Sequence, residues 1–124
     1  MRVLLDTNFL LDVFRKRASL APLEEVFDER VELVVLSPCV EELKDIAVSG
    51  GERDRHAAKA ALELVAKAAC VEVVEGKADE AVLAWAGAHS GAGVCTGDRV
   101  LRAGLKGKRV KVVFWKAGRP VRVR

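Results

Sequence analysis

Four carboxylates stand where a chain alternating strands with helices would bring them to one edge. Asp6 follows the apolar run Val3-Leu4-Leu5 and opens a polar elbow, Asp6-Thr7-Asn8. Asp98 closes a second elbow, Thr96-Gly97-Asp98, after the short apolar run Gly93-Val94-Cys95. Glu42 borders the inward stripe of a helix starting at Ser37-Pro38, whereas Glu41, about 100° away around that helix, points nearly away from the stripe. Asp79 is in register with Val82, Leu83 and Ala86, which puts a carboxylate on a core-facing stripe. Such a group is costly unless it is paired or binds a cation. Crowded carboxylates repel, and their ionised forms persist beside cations. Oxygen-only ligands select hard ions, Mg2+ or Mn2+, over zinc. A hard cation in a carboxylate cup can activate a water and neutralise a leaving oxygen, which is phosphodiester chemistry. Each acid also has a plainer use. Asp6, Thr7, Asn8 and Asp98 are all favoured helix caps, and Asp79 in a first turn suits the positive end of its helix. Four such coincidences at four strand ends are less economical than one acidic pocket.

The elements that would position these groups can be read in order. Residues 3–5 form a buried strand, and Phe9, Leu10, Val13 and Phe14 recur at helical spacing up to about residues 15–17. A second helix is expected over 20–29 with Pro22 in its first turn. A strand follows over 31–36, then a helix capped by Ser37 with Pro38 at its first position. After the Gly50-Gly51 break come a long helix over about 52–69, a strand over 71–74 and a helix from about 78. The last elements are a short strand over 93–95, a helix after Asp98, and a strand over 110–115. Residues 119–124 alternate Val and Arg and suit either an edge strand or a loose tail. Alternation of this kind predicts an α/β fold with a parallel sheet and helices on both faces. Ligands then gather at the carboxyl ends of the strands.

Composition sets the outer limits. A chain of 124 residues is expected to be one domain, residues 1–124, with 51% hydrophobic and 31% charged residues suiting a globular rather than a disordered chain. No run approaches the roughly 18 apolar residues of a membrane span, and no signal-peptide pattern precedes the first strand. The expected location is the cytoplasm. Cys39, Cys70 and Cys95 make an odd count without CxxC spacing, which argues against a disulfide framework or zinc site and places each in the core. Gln is absent and Asn8 is the sole Asn, a scarcity of heat-labile amides that fits a hot-growing source. The net charge of +3 hides an asymmetry. Residues 1–98 hold 11 Lys/Arg against 18 Asp/Glu, whereas residues 99–124 hold 10 Lys/Arg and no acid. That polarity suggests an anionic partner for the basic end, with Phe114 and Trp115 as candidate stacking faces or, more simply, packing residues. A phospho-accepting receiver domain would need an aspartate ending its third strand, and Val71-Glu72-Val73-Val74-Glu75 supplies none. His56 and His89 lie outside every motif and read as surface residues.

Taken together, Leu4-Leu5-Asp6-Thr7-Asn8-Phe9-Leu10, Ser37-Pro38-Cys39-Val40-Glu41-Glu42-Leu43, Ala78-Asp79-Glu80-Ala81-Val82-Leu83 and Thr96-Gly97-Asp98-Arg99-Val100-Leu101 resemble, in order and spacing, the motifs of PIN-domain ribonucleases. The details look closest to archaeal PIN proteins related to those of ribosomal small-subunit processing. The resemblance implies a three-layer α/β/α fold with a five-stranded parallel sheet ordered 3-2-1-4-5. It implies cleavage of single-stranded RNA, including an rRNA precursor, with Mg2+ or Mn2+. Asp6, Glu42, Asp79 and Asp98 match the catalytic, metal-binding acids of the family, and Asn8 and Thr96 match supporting polar positions. Glu80 stands where relatives often carry a second aspartate, which leaves its role open. Arg99, Arg102, Lys106, Lys108 and Arg109 are the expected RNA-binding residues, and a homodimer is the expected assembly. Within the resemblance, a toxin of a toxin–antitoxin pair and a weakly active RNA-binding or ribosome-assembly protein are the alternatives.

Overall fold

Twelve elements order residues 1–123, the residues that the computed structural model describes. Strands β1 (Arg2–Leu5), β2 (Glu32–Leu36), β3 (Ala69–Glu72), β4 (Gly93–Cys95), β5 (Lys111–Lys116) and β6 (Arg119–Arg122) form one sheet ordered β3-β2-β1-β4-β5-β6. The pairs β3-β2, β2-β1, β1-β4 and β4-β5 are parallel, which is the expected 3-2-1-4-5 arrangement. A sixth strand, β6, runs antiparallel to β5, so the Val/Arg alternation is an edge strand, with Arg124 outside the described residues. Pro120 lies in this edge strand, where its missing N–H need not break a ladder on both sides.

Both faces of the sheet are covered. Val3, Leu5, Val35, Cys95 and Val113 face one core with Phe9, Leu10, Val13, Leu43 and Ala58. Those residues come from α1 (Thr7–Arg15), α3 (Ser37–Ser49) and α4 (Glu52–Ala68). Leu4, Val34, Leu36, Val94 and Val112 face the other core. There they meet Val82 and Trp85 of α5 (Ala78–Ala88) and Leu101 of α6 (Arg99–Gly104). The strict alternation of Val3, Leu4 and Leu5 between the two cores is the period-two geometry of a strand buried on both sides. Phe9 stacks on Trp115 at 4.4 Å, and the Trp115 indole N–H donates to the Phe9 carbonyl at 3.0 Å. Trp115 is therefore a core residue, not a stacking face for RNA.

Several local expectations are corrected. The second helix is only α2 (Leu23–Phe27), because Pro22 caps it rather than joining its first turn, and Asp28 ends it in the left-handed region. Its Phe27 ring lies where a Cβ on Gly93 would fall 2.7 Å away, so this glycine lets α2 pack on β4. Ser37 is the first residue of α3 and not its cap. Its hydroxyl accepts from the Val74 N–H at 3.0 Å and meets the Val74 carbonyl at 3.1 Å, tying α3 to the segment after β3. Cys39 and Cys95 are buried as expected, but Cys70 is exposed on edge strand β3. His89 is half-buried rather than superficial. It stacks on Trp85 at 4.2 Å and lies 3.2 Å from Arg2, which pairs with Glu72. No helix among the described residues is long and apolar enough to cross a membrane.

Candidate active site

The chain turns from β1 to β2 on one side and reaches β4 on the other, so the carboxyl ends of β1 and β4 form the switch point of the sheet. Ladder bonds continue past both strands there. The Asp6 N–H donates to the Cys95 carbonyl at 3.0 Å, and the Thr96 N–H donates to the Val113 carbonyl at 2.9 Å. These two bonds set Asp6 and Thr96 side by side although 90 positions separate them.

Asp6 is only 5% exposed. One carboxylate oxygen, Oδ1, accepts from the Thr7 N–H at 2.9 Å; the other, Oδ2, accepts from the Thr96 hydroxyl at 2.9 Å. Thr96 also accepts the Asp98 N–H at 3.1 Å, so the second elbow is fastened to the first carboxylate. The Thr7 hydroxyl donates to Glu42 Oε1 at 2.9 Å, bringing α3 to the same point. Burial is the main cause that holds the Asp6 pKa above the usual carboxylate range, opposed by the Thr96 and Thr7 hydrogen bonds. Glu42 and Asp79 add negative charge and push it further upward. The Cys39 thiol beneath them is raised to about 11, chiefly by burial, with a hydrogen bond to Thr7 acting the other way.

Glu42 and Asp79 open onto a cleft of about 580 Å3 between α3 and the start of α5. Asp79 is exposed there instead of sitting on a buried stripe. The buried face of α5 is Ala81, Val82, Trp85 and Ala86, and one turn earlier the same direction runs off the sheet edge into the cleft. Glu41 and Asp45 also line the cleft, and Glu41, exposed on α3, pairs with Lys44 at 3.4 Å. Lys77 is the basic residue of the lining.

The other expected residues are placed differently. Asp98 Oδ1 accepts from the Val100 N–H at 2.8 Å and the Leu101 N–H at 3.1 Å, which makes it the cap of α6. Like Asp6, it lies outside the lining of the cleft. Asn8 is exposed on the first turn of α1, and Glu80 is exposed with its carboxylate lying against Gly76. Arg99, Arg102 and Lys106 line one open cavity along α6, where the Arg102 guanidinium lies 4.7 Å from the Phe114 ring centroid. Lys108 is half-buried with its ammonium over Gly87, and Arg109 is exposed in the loop after α6. The basic residues thus divide between a helix face and a loop. Sequence reasoning missed Thr7 as a member of the site, because a threonine at a helix start reads as a cap.

The chemistry of the donor set suits a hard cation: carboxylate and hydroxyl oxygens, no imidazole and no free thiolate. Among the described residues no three acidic, histidine or cysteine side chains already converge on one ion position. Asp6 is buried and held on both oxygens, Glu42 is exposed with Oε1 held by the Thr7 hydroxyl, and Asp79 is exposed.

A three-layer α/β/α sheet ordered 3-2-1-4-5 with acidic side chains at its switch point fits the PIN class that the four motifs resemble. The model of the PIN like domain family matches residues 3–117, and the chain belongs to that family. The chain is 29% identical over 115 residues to ribonuclease VapC4 of Methanocaldococcus jannaschii, covering 90% of this chain and 88% of that protein. Its fold is similar to the PIN domain endonuclease Utp24, with a TM-score of 0.82, 19% identity and coverage of 99% of this chain and 91% of the other. It is also similar to a chain of VapBC2 from Rickettsia felis, a complex solved with a DNA fragment from its promoter. There the TM-score is 0.54, the identity 13%, and the coverage 90% and 98%.

Proposed function

We propose that this chain, as a single PIN-like domain over residues 1–124, is a metal-dependent endoribonuclease that cleaves single-stranded RNA at the Asp6 site. The observation that carries the reading is the buried Asp6, held on both oxygens, its pKa raised chiefly by burial and further by the charges of Glu42 and Asp79. A buried carboxylate surrounded by further carboxylates is unfavourable alone and becomes favourable when a cation occupies the same place. Asp6, Glu42 and Asp79 would hold Mg2+ or Mn2+, with Asp98 joining from the α6 cap. Such an ion supplies an activated water and charge neutralisation for the leaving oxygen. Thr7 and Thr96 keep the Asp6 oxygens aimed, Thr96 links Asp98 to them, and Asn8 and Glu80 would serve as supporting polar groups. Arg99, Arg102, Lys106, Lys108 and Arg109 would carry phosphates of the RNA along and beyond α6.

The reading includes a homodimer, a cytoplasmic location and a role in RNA processing or decay, with an rRNA precursor among the candidate substrates. A toxin ribonuclease with an antitoxin partner is the second reading, and the similarity to ribonuclease VapC4 favours it. The test is cleavage of an end-labelled single-stranded RNA in Mn2+. Asp6→Asn or excess chelator should abolish cutting, and cutting that continues at the wild-type rate under either treatment overturns the proposal. Growth arrest on expression, relieved by a small protein encoded alongside, would decide for the toxin.

A further inference from the structure

Thr7 touches two carboxylates that arrive from different elements. Its backbone N–H donates to Asp6 Oδ1 and its hydroxyl donates to Glu42 Oε1, each at 2.9 Å. The Thr7 side chain is itself buried, so its position is set by the core and not by solvent. A hydroxyl has one proton to give and lone pairs to receive. In this structure the Thr7 hydroxyl proton goes to Glu42 Oε1. Glu42 is otherwise an exposed side chain with several rotamers open to it.

We propose that Thr7 is a positioning residue that fixes the distance and orientation of Glu42 relative to Asp6, so that the two carboxylates present oxygens to one divalent cation. This proposal rests on the metal-dependent reading of the site. It assigns Thr7 no contact with substrate; its effect passes through Glu42. Losing a group that orients a metal ligand commonly weakens metal binding 10- to 100-fold, and that sets the expected scale.

Mn2+ binding to the full chain, followed by electron paramagnetic resonance of the free ion, tests this without RNA. Thr7→Val keeps the shape and removes the proton, and should weaken Mn2+ at least tenfold. Thr7→Ser restores the hydroxyl and should bind within about threefold of wild type. In a Glu42→Gln background, Thr7→Val should add less than about threefold, because the group it orients is already altered. Thr7→Ala serves as the second variant should the buried valine disturb folding, with melting curves in chelator as the control. Wild-type Mn2+ affinity in both hydroxyl-less variants, with Asp6→Asn still losing the ion, would overturn the role of Thr7. An equal loss from Thr7→Val with and without Glu42→Gln would overturn it too. Undiminished Mn2+ binding by Asp6→Asn would instead overturn the metal reading beneath it.

Discussion

Burial makes Asp6 hold a proton more tightly than an ordinary aspartate, and this has a consequence for stability. A carboxyl whose folded pKa is raised favours the fold at low pH, where it is protonated, and loses that contribution as pH rises through the folded value. At neutral pH the ionised Asp6 therefore works against folding. Asp6→Asn, measured in chelator, should melt a few degrees above wild type at pH 7, and the gap should shrink as pH falls through the raised Asp6 value toward the ordinary carboxylate range and change no further below it. A variant that melts lower at pH 7 would contradict the field described around this residue. Thr96→Val removes the donor to Asp6 Oδ2 and leaves a buried oxygen unpaired. Loss of about 1–3 kcal/mol is expected in denaturant unfolding. The two acids of the elbows were legible as residues from their places after apolar runs. Their difference in environment was not, because a hydrogen bond between Thr96 and Asp6 depends on which strands become neighbours.

Among the elements, the β5–β6 hairpin is where local chemistry and observed conformation disagree most. Lys116 pairs with Arg119, leaving Ala117-Gly118 as a two-residue turn with both residues at positive φ, 51° and 75°. Gly118 adopts this freely, whereas Ala117 does so at a steric cost. Ala117→Asn gives the Asn-Gly pair that such turns favour. It should raise stability by about 0.5–1 kcal/mol, read from the denaturant midpoint at unchanged slope. The hairpin explains why β6 was ambiguous in the sequence: alternating Val and Arg fits an edge strand or a tail, and only the turn decides. Element order along β1, β2, β4 and β5 was legible because buried parallel strands are continuous apolar runs separated by helix-length segments, whereas the half-exposed edge strand β3, expected over 71–74, lies at Ala69–Glu72. Asp79 was misplaced for the opposite reason. Helical spacing reports a direction around the axis but not where along it the sheet stops.

Over the whole molecule, charge and packing are divided by sheet position. The acidic cleft lies between α3 and α5, while Arg99, Arg102 and Lys106 line α6 on the far side of the switch point. RNA held by these side chains should bind with affinity that falls steeply as salt rises, and charge reversal at Arg99 and Lys106 should lower that salt slope. A slope unchanged by both reversals would place the RNA elsewhere. The Phe9–Trp115 stack joins α1, which carries the site, to β5, which lies beyond β4 in the sheet order. Trp115→Ala should cost about 3–5 kcal/mol, visible as a large fall in melting temperature. The most direct measurement is anomalous diffraction from a crystal of this chain soaked in Mn2+. A peak bonded to Asp6 and within reach of Glu42 and Asp79 is the predicted result, whereas an ion-free cleft at saturating Mn2+, or a peak that avoids Asp6, would contradict the account.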